Sequence, residues 1–311
     1  MSYFIIGSKN WPKWLSDSFN RFGIQSNYLE YVSLSAVFKL LHFKSDTLIR
    51  VGYRVGILKL HCILLDLYCF AFSLIKNKKV VVYWTGSDIQ RTQKAVESSF
   101  YSSSMLKVFA GKRFSHITAA PWLVDELESI GISAKFLPFP VDLKKPCSFR
   151  KREKFEVLTY IPDSNYSNYH GETVIQLAKA LPDVAFKVMG GNGGWVKEHL
   201  KNLTFLGWVT DTTKLYAESI VVLRVVEHDA MGGTVREALA NGCYVIYTFP
   251  HEHTINVRPD FQDVLNNIVK LKRSYLSGDI NINDSAVTWV NNTLDESILV
   301  TRLIENIDGV K

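Results

Sequence analysis

The stretch from residue 219 to residue 248 constrains the fold more than any other part of the chain. It begins with an apolar run at 220–226, which is typical of a strand buried on both faces of a parallel sheet. A polar loop, a helix-forming segment at 234–241 and a second apolar run at 244–248 follow. This order predicts a βαβ unit, and open α/β sheets bind ligands at the carboxyl ends of their strands.

The pair Gly232–Gly233 lies just before the helix-forming segment. Because glycines carry no side chain, an anion can approach the backbone N–H groups at the N-terminus of the helix, where the helix dipole also favours negative charge. Acidic residues flank the pair, with Asp229 before it and Glu237 after it. The stretch therefore predicts an anion-binding loop between two carboxylates.

Asp229, Glu237 and the sequence Glu-Ala-Leu-Ala-Asn-Gly that ends at Gly242 resemble the donor-sugar motif of retaining GT-B glycosyltransferases, most closely those of glycosyltransferase family 4. The family usually has Glu where this chain has Asp229. The resemblance implies that Asp229 contacts the transferred sugar and that Glu237 binds the ribose. It also assigns the backbone around Gly232, Gly233 and Thr234 to the sugar and phosphates.

Thr234 and Glu237 allow a second interpretation. Their spacing is that of a capping box, in which the Glu side chain reaches back to the N–H of the cap residue and contacts no ligand. The sequence leaves both interpretations open.

Composition sets limits on the class of protein. A length of 311 residues allows two domains, and 47% apolar with 21% charged residues is typical of soluble globular proteins. The four cysteines form no CxxC pair, so we expect reduced thiols in a cytosolic protein without a secretory signal.

Residues 1–150 hold 20 Lys+Arg and 10 Asp+Glu, which predicts contact with an anionic membrane surface or simply a soluble basic face.

The segment Arg54–Lys76 is the only membrane candidate. Lys59, Asp66 and Ser73 recur every seven residues and so line one face of a helix. This narrow polar stripe favours the central helix of a domain over a membrane span, with a surface-contact role still open.

Strand-like runs alternate with helical segments through the second half, which indicates a parallel sheet with helices on both faces. With the resemblance, this implies the GT-B class of α/β fold: two Rossmann-like parallel-sheet domains that face a central cleft. We expect an N-terminal acceptor-side domain at 1–145 and a donor domain at 146–290. The hinge is expected near 142–153, and a helix within 291–311 is expected to cross back to the first domain.

Further site candidates come from the ends of the other predicted strands. Arg224 interrupts the central apolar run, so it is predicted to bind the donor diphosphate, with an ion pair to Glu227, Asp229 or another buried acid as the structural alternative. The family's diphosphate Arg and Lys are missing, and His170 stands where the Lys would be. The remaining candidates are glycines and one acid: Gly190 and Gly191 on the donor side, and Gly7, Gly86 and Asp88 on the acceptor side.

The chain is therefore predicted to be a retaining, metal-independent glycosyltransferase without a cofactor. It would move a hexose from a nucleotide diphosphate sugar to a saccharide or lipid-linked saccharide in bacterial surface polysaccharide synthesis. We expect a cytoplasmic protein with peripheral contact to the inner face of the cell membrane and no nucleic-acid partner. The alternatives are an inactive GT-B-like partner subunit and a nucleotide-sugar 2-epimerase.

Overall fold

The structure is a computed structural model that describes residues 2–8, 10–30, 45–52, 55–144 and 149–309. The chain forms two compact units. Unit 1 comprises Met1–Asp142 and Leu294–Lys311, and unit 2 comprises Leu143–Thr293.

Unit 1 is built on a six-stranded sheet in the order β2-β1-β3-β4-β5-β6 with all neighbours parallel. β1 and β3 are buried along their whole length, as expected for parallel strands covered on both faces. The strands are β1 Tyr3–Gly7, β2 Ser26–Glu30, β3 Thr47–Val51, β4 Lys79–Trp84, β5 Phe114–Thr118 and β6 Lys135–Phe136. The described helices of unit 1 are α1 Trp11–Arg21, α2 Leu60–Leu74, α3 Ser87–Ser98, α4 Phe100–Phe109, α5 Trp122–Glu128 and α11 Glu296–Asp308.

Unit 2 is built on a second six-stranded parallel sheet, in the order β12-β11-β10-β7-β8-β9. Its strands are β7 Glu156–Tyr160, β8 Ala185–Met189, β9 Leu203–Phe205, β10 Val221–Arg224, β11 Tyr244–Tyr247 and β12 Thr254–Asn256. Its helices are a 3-10 helix at Asp163–Tyr169, α6 Gly171–Ala180, α7 Thr213–Glu218, α8 Gly233–Ala240, α9 Phe261–Leu276 and α10 Asp284–Thr293. β10 lies between β7 and β11, so its carboxyl end opens near the middle of the sheet.

The helix in the apolar segment 54–76 does not carry the polar stripe that the sequence predicts. The helix is α2, which spans only 15 residues, and no helix among the described residues is long and apolar enough to cross a bilayer. Asp66 does not belong to a polar outer stripe, because its side chain is completely buried. The outward positions of α2 include Leu60, Leu67 and Leu74 instead.

Asp66 faces inward because β3 supplies its counter-ion. Arg50 Nη1 donates to Asp66 Oδ1 at 2.6 Å, and both side chains are fully buried. The second carboxylate oxygen, Oδ2, accepts the backbone N–H of Gly56 at 3.0 Å. Two buried charges are tolerable only when each is paired and hydrogen-bonded, so this pair joins α2 to the sheet.

We expect Asp66→Leu to lower the free energy of unfolding by about 3–5 kcal/mol, because the buried Arg50 cation would lose its carboxylate counter-ion. The measurement is urea denaturation. Arg50→Met/Asp66→Leu is the matched control: with both charges removed, stability should return close to that of the original protein. An Asp66→Leu protein as stable as the original would contradict the role of the pair.

Candidate functional site

Arg224 ends β10 and makes a two-pronged ion pair with Asp229. Its Nε donates to Asp229 Oδ2 at 3.0 Å and its Nη2 donates to Oδ1 at 2.9 Å. Both side chains are more than nine-tenths buried. Of the two acids that the sequence offered, Asp229 is therefore the partner of Arg224. Glu227 lies elsewhere, with Oε1 2.7 Å from Nε2 of His170.

Two tyrosines complete the surroundings of this pair. The hydroxyl of Tyr247, at the end of β11, donates to Asp229 Oδ2 at 2.9 Å. The ring of Tyr169 lies against the guanidinium of Arg224, with 4.9 Å from Cζ to the ring centroid, which is cation–π distance. Neither tyrosine was identified from the sequence.

The electrostatics keep Asp229 ionised. Burial raises the pKa of its carboxyl, but the charge of Arg224 and the hydrogen bonds from Arg224 and Tyr247 bring that pKa below the ordinary value. Burial and the adjacent carboxylate raise the pKa of Tyr247, so its hydroxyl remains a proton donor. The cluster therefore holds a fixed cation, a fixed anion and one neutral donor.

The cluster lies directly against the N-terminus of α8. A Cβ added to Gly232 would stand 3.4 Å from Asp229 Oδ1 and 3.6 Å from Arg224 Nη2. Gly232 is the N-cap residue, and as a glycine it has no side chain to cap the helix. The first N–H groups of a helix have no partner within it, so these N–H groups, the guanidinium of Arg224 and the carboxylate paired with it lie next to one another at this end of α8.

The capping box that the sequence allowed is not formed. α8 begins at Gly233, so Thr234 lies inside the helix and cannot act as its N-cap. The carboxylate of Glu237 instead accepts a hydrogen bond from Thr212 Oγ1 at 3.3 Å. Burial raises the pKa of Glu237, while the nearby hydroxyls of Tyr216 and Thr212 oppose that rise. Glu237 therefore faces the loop before α7.

His170 is positioned by strained backbone. It lies after the 3-10 helix with φ 49° and ψ 42°, in the left-handed region that few non-glycine residues adopt. The backbone N–H of Glu227 donates to Asn168 O at 3.4 Å, which links the loops that follow β7 and β10. The structure thus brings His170 close to the segment that carries Asp229.

Close packing explains why residues 190 and 191 are glycines. A Cβ on Gly190 would stand 2.4 Å from the ring of Tyr160, and one on Gly191 would stand 2.6 Å from Asp163 Oδ1. The Asp163 carboxylate also accepts the N–H groups of residues 192 and 193 at 2.8 and 2.9 Å. These two N–H groups of the glycine-rich loop are engaged inside the protein, and so is that of Gly190, which donates to Gly207 O at 2.7 Å.

The acceptor-side candidates lie at the carboxyl ends of strands in unit 1. A Cβ on Gly7 would stand 2.2 Å from Val51 O, so β1 and β3 require glycine there. Gly86 begins α3 with φ 105°. Asp88 is buried and accepts the N–H of Thr85 with both oxygens, at 3.0 and 3.1 Å. Burial raises the pKa of Asp88 to about 6 although backbone N–H groups act against it.

The described residues contain no group of three His, Cys, Asp or Glu side chains that could hold a metal ion. The loop with His251, Glu252 and His253 packs on Trp289. The two imidazole rings lie 4.6 and 5.1 Å from the indole, centroid to centroid.

No family model and no curated protein matches the chain. Solved structures do match. HepE of Anabaena in complex with UDP is 13% identical with a TM-score of 0.71, covering 99% of this chain and 100% of that one. Sucrose-phosphate synthase from Thermosynechococcus elongatus is 13% identical with a TM-score of 0.72 and full coverage of both chains. A glycosyltransferase from Rickettsia africae is 12% identical with a TM-score of 0.70, and the match covers 99% of this chain and 98% of that one. With its two parallel six-stranded sheets, the chain has the GT-B fold that these glycosyltransferases share.

Proposed function

We propose that the chain is a retaining glycosyltransferase that uses a nucleotide diphosphate sugar, with UDP as the first nucleotide to test. The fold supports this, since the Anabaena HepE structures contain UDP, and in one case glucose as well. The observation that carries the proposal is the guanidinium of Arg224, fixed against the N-terminus of α8.

A diphosphate is a ligand that the guanidinium of Arg224 and the N-terminus of α8 can bind together. Phosphate oxygens accept hydrogen bonds from helix N-terminal N–H groups, and arginine adds a permanent charge in a planar fork. Arg224 and the N–H groups after Gly232 would stabilise the negative charge that develops on the leaving phosphate. Because this charge comes from the protein, we propose a reaction without a metal ion or cofactor.

Asp229 is proposed to act in two ways. It holds Arg224 in place through the two-pronged ion pair, and it accepts a hydrogen bond from a hydroxyl of the transferred sugar. Tyr247 fixes the carboxylate by donating to Oδ2. Retention requires the acceptor to approach on the face from which the phosphate leaves, so the departing phosphate itself can accept the acceptor's proton.

The remaining residues of the donor site are proposed from their positions relative to the strands and to α8. His170, Gly190, Gly191 and Thr234 follow the carboxyl ends of strands or open α8, where the nucleotide would lie. On unit 1, Gly7, Gly86 and Asp88 are proposed to lie near the acceptor. The acceptor is proposed to be a saccharide, carried on a lipid at the inner face of the cell membrane, in surface polysaccharide synthesis.

Product analysis tests the proposed reaction. We expect UDP release from a UDP-hexose to accelerate when a saccharide acceptor is added, and the anomeric coupling constant in the NMR spectrum of the product should show retention. An inverted linkage would contradict the mechanism. Binding of UDP without any turnover would favour the inactive subunit, and recovery of an isomerised sugar would favour the 2-epimerase.

Glu237 is proposed to bind the ribose through two vicinal hydroxyls, and Glu237→Gln tests this. The neutral amide accepts hydrogen bonds more weakly, so we expect about tenfold weaker binding of both UDP and uridine. Isothermal titration gives both affinities. Glu305→Gln, an exposed helical residue of unit 1, is the matched control and should bind both as before. Unchanged affinities for Glu237→Gln would leave that residue with only its contact to Thr212.

A further inference from the structure

Large apolar side chains are concentrated on the outward side of α2. Leu60, Leu67 and Leu74 repeat every seven residues, so they lie on one side of a helix about 22 Å long. Two more exposed apolar residues flank the helix. The exposed fractions are 62% for Leu58, 60% for Leu60, 49% for Leu67, 55% for Leu74 and 53% for Ile75.

The opposite side of α2 is already packed against unit 1. Its buried residues are Cys62, Leu65, Asp66, Cys69 and Phe72. The ion pair between Asp66 and Arg50 of β3 fixes this orientation. Rotation of α2 to hide its leucines would therefore expose a buried charge, so the outward apolar stripe is a stable surface feature.

The exposed charged residues at the two ends of α2 have the same sign. Asp66 is the only acidic residue between Asp46 and Asp88 in the sequence, and it is buried. Lys59, the N-cap residue, and Lys76, just beyond the helix, are both exposed. The surface is thus an apolar stripe with a cation at each end.

We propose that this surface, the α2 face, docks on an anionic lipid bilayer; it comprises Leu58, Lys59, Leu60, Leu67, Leu74, Ile75 and Lys76. An amphipathic helix binds a bilayer by burying apolar side chains among the acyl chains while its lysines attract anionic headgroups. The α2 face has both components and no exposed carboxylate on the helix to repel the headgroups. The inference deepens the proposal of a lipid-linked acceptor, because it names the surface that would bring the enzyme to one.

Charge also distinguishes the bilayer from a second copy of the chain. An antiparallel pair of α2 helices, as in a two-fold dimer, would bring Lys59 of each copy close to Lys76 of the other. Neither helix presents a carboxylate that could neutralise these cations. Like charges across an interface cost free energy, whereas anionic headgroups neutralise them.

Co-sedimentation with vesicles, without any nucleotide sugar, tests the proposal. We expect the full chain to bind vesicles of phosphatidylcholine with phosphatidylglycerol and to bind pure phosphatidylcholine much more weakly. Leu67→Gln/Leu74→Gln should weaken binding at least about tenfold, and Lys59→Gln/Lys76→Gln about fivefold for each lysine. Leu276→Gln on α9 removes an even more exposed leucine from unit 2 and should bind as the original does.

Three outcomes would overturn the proposal: no vesicle binding, binding that Leu67→Gln/Leu74→Gln leaves unchanged, or a dimer that this variant converts to a monomer. Thermal unfolding establishes that each variant is folded, as expected for substitutions at exposed positions. The soluble-donor reaction is measured separately on the same variants. Vesicle binding by a chain without transferase activity would contradict the proposed function alone, and activity without vesicle binding would contradict the α2 face alone.

Discussion

Arg224→Met is expected to reduce UDP affinity by at least about a hundredfold while uridine binding changes little. A guanidinium that forms charge-assisted hydrogen bonds to two phosphates contributes to diphosphate binding and not to the base or ribose. Isothermal titration with UDP and with uridine separates the two contributions. The substitution also leaves Asp229 without its counter-ion in a buried position, so we expect about 3–5 kcal/mol lower stability in urea.

Arg224→Met/Asp229→Leu separates the structural role of Arg224 from its role in binding. With both charges removed, most of the lost stability should return, apart from the acceptor that the hydroxyl of Tyr247 loses. UDP affinity should stay low in this double variant, because the diphosphate still has no arginine. If the stabilised double variant bound UDP as tightly as the original chain, Arg224 would serve the ion pair alone.

Arg152→Met is expected to have the largest effect on stability. Arg152 is buried, and its guanidinium donates to backbone carbonyls at the ends of two helices: Tyr216 and Ala217 of α7, and Asn241 and Gly242 after α8, together with Asn281. The last carbonyls of a helix have no partner within it and favour a cation. Tyr216 O and Gly242 O also accept the N–H groups of Ser219 and Asn283. The other three carbonyls would lose the donors that Arg152 supplies. A buried acceptor left unpaired costs about 1–3 kcal/mol, so we expect a total loss of about 5 kcal/mol.

Thermal and urea unfolding of three variants tests this role. Arg152→Lys keeps the charge but cannot reach as many carbonyls, so its stability should lie between those of Arg152→Met and the original. Arg150→Met removes an exposed arginine two residues earlier and should change stability by about 0.5 kcal/mol or less. An Arg152→Met protein that unfolds with the original midpoint would show that other groups satisfy these carbonyls.

Much of the fold could be predicted because buried parallel strands leave a simple signal. Continuous apolar runs alternate with helical segments through unit 2, which indicates its parallel sheet, and the resemblance of the stretch around Glu237 to a known family implied the GT-B architecture. The orientation of α2 could not be predicted from its own periodicity. Asp66 has the same spacing as Lys59 and Ser73, but its partner is Arg50, which lies 16 residues earlier on a strand.

The site was predictable where a residue breaks a pattern. Arg224 interrupts an apolar strand, which marks it as a buried charge that needs a partner. The choice between Glu227 and Asp229 depends on the path of one loop, which composition does not determine. Tyr247 was not predicted because tyrosine is an ordinary strand residue, although a buried tyrosine hydroxyl usually has a hydrogen-bond partner.

Unit 1 includes a helix, α11, that is synthesised long after the strands of the unit 1 sheet. α11 follows the whole of unit 2 in the sequence, and it buries Leu299, Val300, Leu303 and Ile307 within unit 1. During synthesis, unit 2 emerges as one continuous segment and can fold first, whereas the unit 1 surface that receives α11 stays open until the last helix appears. In the cell, this exposed apolar surface of unit 1 is where we expect a chaperone to bind the nascent chain.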